Sequence, residues 1–133
     1  MSFKEIQDEV ISKYRITIVE NSKCYSRTHI HVKQRKICKW KQASSIQSTF
    51  TLFHEIGHAE NNNSKMRRCE EEYYATVWAI DKCKEYGLKI PQSIIDNYQR
   101  YIYRELARGH RHRGNNYPTR EEMRLEGARV PLT

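Results

Sequence analysis

The residues best suited to chemistry are His54, Glu55 and His58, inside the stretch Thr49-Phe50-Thr51-Leu52-Phe53-His54-Glu55-Ile56-Gly57-His58. Side chains four apart share one face of a helix, so His54 and His58 can offer two imidazole nitrogens to a single ion while Glu55 projects beside them. Neutral imidazoles suit Zn²⁺, and a catalytic zinc keeps one position open for water, whose pKa falls from about 15.7 to about 7. A carboxylate next to that water can take its proton as it attacks a carbonyl carbon, then hand the proton to a leaving amine. Glu55 is placed for that task in the H-E-x-x-H pattern.

Such a pentad needs a helix, and its surroundings predict one. Ser44 with Gln47 gives a capping-box-like start, and Ile46, Phe50, Phe53 and Gly57 follow at helical spacing. Asn61-Asn62-Asn63-Ser64 ends the helix with residues that tolerate left-handed backbone, so the chain can fold back as a second, antiparallel helix. That helix carries Glu70, Glu71 and Glu72, three candidate carboxylates for a third ligand. Two histidines from one helix and a glutamate from the next make a His₂Glu site.

Residues 49–80 resemble the ImmA/IrrE-type metallopeptidases, often found on phages and mobile elements. Their first motif, approximately R-F-T-L-A-H-E-L-G-H, is matched by Thr49 to His58. Their second, approximately E-x-E-A-N-x-F-A, aligns without gaps with Glu72-Tyr73-Tyr74-Ala75-Thr76-Val77-Trp78-Ala79. The resemblance implies His54, His58 and Glu72 as metal ligands, Glu55 as the base and Zn²⁺ as the cofactor. It also implies a narrow protein substrate, such as a helix-turn-helix repressor of a mobile element, cut at a specific peptide bond. Tyr74 stands where the family has a second glutamate and Thr76 where it has asparagine, and the Leu-Leu-Met-Pro run that often follows is missing after Ala79. These departures bear on the substrate groove and leave the ligands intact. Glu70 and Glu71 read as a solvated helix start, since acidic residues favour the first turn.

The chain has 133 residues, 38% of them hydrophobic, with a mean hydropathy of −0.91. That is one domain's worth of chain, enough for a core. No apolar run approaches the roughly 20 residues of a membrane span, and the N-terminus lacks the apolar centre of a signal peptide, so the expected compartment is the cytoplasm. Cys24, Cys38, Cys69 and Cys83 form no C-x-x-C pair, which argues against a zinc ribbon and for reduced, small, buried or half-buried residues.

Ahead of the metal helix, residues 2–14 read as an amphipathic helix, 15–20 as a strand, 27–33 as a second strand and 37–40 as a third, with a turn near Gln34-Arg35. The class is α+β: a small antiparallel sheet packed on about four helices, with a zincin-like helix pair at the metal. In such enzymes a substrate peptide adds to an edge strand beside the metal. If the hairpin from Arg27 to Trp40 is that edge, its basic residues favour an acidic peptide, though basic residues on edges also serve simply to block aggregation. His29 and His31 read as surface strand residues, the alternative being ligands of a second metal.

After the metal helix, a second long helix is expected from about Lys65 to Tyr86, stopped by Gly87, with Trp78 in the core beneath the site. A third is expected from Pro91 to about Arg108, ended by Gly109. Its Tyr98, Tyr101 and Tyr103 lie among Arg100, Arg104 and Arg108, a mix that can bind nucleic acid. Helical spacing of Ile94, Ile95, Tyr98, Ile102 and Leu106 favours core packing instead, with the arginines solvated. From about residue 109 a basic, flexible tail is expected, in which Thr119 and Glu122 could cap a short helix. His110 and His112 there are candidates to reach the site and stabilise an oxyanion.

The net charge of +8 is unevenly spread: residues 21–43 carry seven basic and no acidic groups, and residues 100–133 eight basic against four acidic. That excess supports a second class of function. The chain could keep the metal fold for structure and act as a binding or inhibitor module, on a host factor or on nucleic acid, through its basic surface.

Overall fold

Helix α1 (Phe3–Lys13) starts on a reciprocal cap: Glu5 N–H donates to Ser2 Oγ at 3.1 Å, and Ser2 N–H to the Glu5 carboxylate at 2.9 Å. Its inner face is Ile6, Gln7 and Val10. Gln7 is fully buried, and its amide donates to Ala43 O at 2.9 Å and Thr49 Oγ1 at 2.8 Å. This ties α1 to the residues that begin the metal helix. The computed structural model describes residues 1–20, 27–113 and 117–132, with 111–113 by their backbone alone. Cys24 therefore lies outside the described residues.

Three short strands follow: β1 (Thr17–Val19), β2 (His29–His31) and β3 (Lys36–Cys38). Their order is β1-β3-β2, with β2 antiparallel to β3 and β1 parallel to it. The sheet is thus mixed, where alternation alone suggested an antiparallel one. The β2–β3 turn closes as expected near Gln34-Arg35, with Arg35 in the left-handed region (φ 54°) and its guanidinium on Tyr14 O at 2.7–2.9 Å. Ile37, at the centre of the middle strand, is fully buried.

Among the described residues four helices, α1 included, complete an α+β fold with a small sheet packed against them. Helix α2 (Ile46–Glu60) is capped by Ser45, one residue later than the sequence suggested, whose Oγ accepts from Ser48 N–H at 3.1 Å. Helix α3 (Arg68–Glu85) starts three residues later than expected, where Arg67 N–H donates to the Glu70 carboxylate at 3.1 Å. Gly87, with φ 69°, follows its end. Trp78 is half-buried, packed edge-on against Phe53 and Tyr14.

Two C-terminal expectations are corrected. Helix α4 (Gln92–Arg113) runs straight through Gly109. A side chain at that position would collide with the ring of Tyr117, so this glycine makes room for a neighbour and does not stop the helix. Nor is the following segment a loose tail, for Met123, Leu125 and Val130 belong to the same buried cluster as Phe50, Phe53 and Ile102. Gln99 holds it from below, donating to Met123 O at 2.9 Å and accepting from Leu125 N–H at 2.6 Å. Thr119 and Glu122 make the reciprocal cap, both bonds at 3.1 Å, but the turn does not extend into a helix.

Candidate metal centre

The site begins at a glycine. A Cβ on Gly57 would lie 2.6 Å from Ala75 O and 3.0 Å from Ala75 Cα, so only glycine lets α2 and α3 approach this closely. One turn along α3, that approach brings Glu72 against the two histidines of α2. His54 Nε2 and Glu72 Oε2 are 3.0 Å apart, His58 Nε2 and Glu72 Oε2 3.3 Å, and the two Nε2 atoms 3.2 Å. His54 and Glu72 are buried and His58 half-buried.

Hydrogen bonding around this triangle decides where its lone pairs point. Thr76 Oγ1 donates to Glu72 O at 2.7 Å, so at His54 Nδ1, 3.2 Å away, it can only accept. Nδ1 then carries the proton and Nε2 a lone pair, which faces the Glu72 carboxylate and His58. The other Glu72 oxygen meets Arg68 Nη2 at 3.1 Å. Burial alone would push the Glu72 carboxyl up, but the His54 and His58 imidazoles beside it outweigh burial and hold Glu72 well below the usual carboxylate range. Burial pulls His54 below the ordinary imidazole value. On His58 burial acts the same way but is overcome by the Glu72 hydrogen bond and charge, leaving it raised.

Two nitrogens and a carboxylate oxygen, mutually 3.0–3.3 Å apart, need a positive centre between them. A proton on His58 can serve in the metal-free chain. The triangle also fits an ion: tetrahedral ligands about 2.05 Å from zinc lie about 3.3 Å from one another. The chain thus holds a buried His54-His58-Glu72 group that can take a metal ion.

The triangle lines one wall of a cleft of about 380 Å³, shared with Glu55, Thr51, Arg68, Tyr98, Tyr101 and residues 27–30, which lead into β2. No family model, curated protein or solved structure matches this chain. What it does must be argued from the cleft itself.

Glu55 is half-buried there, and burial raises its carboxyl to about 7. Its acid–base range then centres on neutral pH, as suits a group that both takes and gives a proton. Tyr98 packs its ring 4.7 Å from that of His54, and burial pushes its phenol up to about 12, so it stays a neutral O–H donor.

His110 does not line the cleft; its Nε2 pairs with Pro118 O at 3.1 Å and its ring packs on Tyr117. The side chain of His112 lies outside the described residues. Arg68 and Tyr98, two donors that do face the cleft, were not singled out from the sequence as site residues. Arg68 carries a signal that could have found it, its i, i+4 spacing to Glu72, and Thr76 has the same spacing on the other side. Tyr98 has none, since its periodicity reads equally as core. Among the described residues no helix is long and apolar enough to cross a membrane.

Proposed function

We propose that this chain is a zinc-dependent peptidase of the ImmA/IrrE type. The observation that carries the reading is the convergence of His54 Nε2, His58 Nε2 and Glu72 Oε2 beside a half-buried Glu55 in an open cleft. Zinc bound to those three atoms would supply a lowered water pKa and polarisation of a substrate carbonyl. The other roles belong to the chain. Glu55 takes the proton of the attacking water and delivers it to the leaving amine. Tyr98 and Arg68 offer an O–H and a guanidinium to the oxyanion that forms at the carbonyl. Thr76 holds His54 in the ligating tautomer.

Strand β2 is a sheet edge, and residues 27–30 line the cleft. An extended substrate can pair along that edge and lay its scissile bond across the site. The substrate in this reading is a specific protein, such as a helix-turn-helix regulator of a mobile element, as the motif resemblance implies.

The test compares cells producing the wild type with cells producing Glu55→Gln, mapping new protein N-termini by mass spectrometry. Cleavage predicts termini present with the wild type and absent with the variant. Identical termini in the two would leave a metal-containing binding module as the better account.

A further inference from the structure

The β2–β3 hairpin holds a second cluster of donor atoms, separate from the cleft triangle. Side chains two apart on a strand share a face, so His29 and His31 stand together, their ring centroids 5.0 Å apart. Antiparallel pairing sets His29 directly across from Cys38, on the face opposite the buried Ile37. One donor atom from each of His29, His31 and Cys38 lies within 4.8 Å of the other two. Cys38 is buried and both histidines are half-buried, so the group is partly screened from water.

We propose that His29, His31 and Cys38 form a second metal site, selective for a thiophilic divalent cation of the zinc class. Imidazole and thiolate together favour Zn²⁺ over Mg²⁺ or Ca²⁺, which take oxygen ligands. His29 is prepared for the role. Its Nδ1 lies 3.1 Å from Arg27 O and donates to it, which leaves Nε2 as the lone-pair nitrogen. On binding, the Cys38 S–H bond breaks, its proton passes to solvent, and the thiolate forms the bond to the ion. Drawing three donors from 4.8 Å or less to the roughly 3.3–3.6 Å edges of a zinc tetrahedron takes side-chain rotation on a fixed hairpin.

The site has a structural consequence. It would clip β2 to β3 at the point where His29 and Ile30 form a wall of the cleft. The metal site itself does not depend on the peptidase reading, because none of its ligands belongs to the first triangle.

Cobalt titration of the metal-free full chain separates the two sites. Thiolate bound to Co²⁺ gives a near-ultraviolet charge-transfer band that the sulfur-free His54-His58-Glu72 group cannot give. Two equivalents are expected in the wild type, one for each cluster. The band should persist in His58→Ala with one equivalent lost. It should vanish, with the other equivalent, in Cys38→Ser and in His31→Asn, a half-buried edge-strand change that leaves the core alone. If the first triangle binds nothing, His58→Ala changes nothing while Cys38→Ser still removes the band. A wild type without the band, or a band that survives both hairpin substitutions, overturns the site.

Discussion

Thr76 Oγ1 lies 3.2 Å from His54 Nδ1 and spends its own hydrogen on Glu72 O at 2.7 Å. One hydroxyl on α3 thereby fixes which nitrogen of a histidine on α2 bears the proton. Groups in this position support a metal ligand without touching the ion, and their loss costs about 10–100-fold in affinity. Thr76→Val keeps the shape and removes the acceptor. Zinc affinity measured against a competing chelator should fall by about that factor and recover in Thr76→Ser. Equal affinity in all three proteins would show that the hydroxyl does not set the tautomer.

Gly57→Ala tests the close approach of the helices by its sign. In an ordinary helix interior the change stabilises by up to about 1 kcal/mol. Here the new methyl would sit 2.6 Å from Ala75 O, so α2 and α3 must part, at a cost of about 1–3 kcal/mol. The expected result is a urea midpoint lowered in the metal-free protein and weaker zinc binding. A raised midpoint would mean that the helices are further apart.

Acid should release the metal. Glu72 raises the affinity of His58 for protons above that of a free imidazole, whose pKa is about 6.5. A proton on His58 competes with the ion for the same lone pair, so zinc affinity should decline as pH falls through a range set above the ordinary imidazole value, and binding within that range should release a proton. Chelator competition at stepped pH reads the decline, and calorimetry in buffers of different ionisation heat reads the proton. An affinity unchanged between about pH 8 and about pH 5.5 would contradict the ligand set.

Glu55→Gln should separate chemistry from binding. The amide matches the carboxylate in size but cannot accept a proton, so turnover should drop by about 10²–10⁴-fold with zinc content unchanged. Cleavage at the wild-type rate would remove Glu55 from the role of base.

Much of this site was legible because its information is local. His54 and His58 meet through helical spacing, and the asparagine-rich turn after Glu60 announced that the next helix would return past them. Glu72 stood out from its neighbours Glu70 and Glu71 through the motif resemblance, and the fold seats it on the triangle, with Arg68 and Thr76 one turn away on either side.

Where partners are distant in sequence, the chain was silent. Strand alternation carries no record of direction, so the parallel pairing of β1 with β3 could not be read from it. Gly109 looked like a helix stop because its purpose, seating Tyr117, depends on a residue beyond the helix. Tyr98 reads as core by periodicity and is core on one side, against Phe50, yet its other contact is the ring of His54.

Zinc content of the purified chain, read by elemental analysis beside His54→Ala and Glu72→Ala, decides whether the buried triangle is a metal centre. Each variant is expected to hold about one equivalent fewer than the wild type, since tetrahedral zinc with two protein donors loses most of its affinity. A folded wild type and both folded variants with the same zinc content, even after zinc is added, would make the H-E-x-x-H pentad a pair of core histidines on a structural helix.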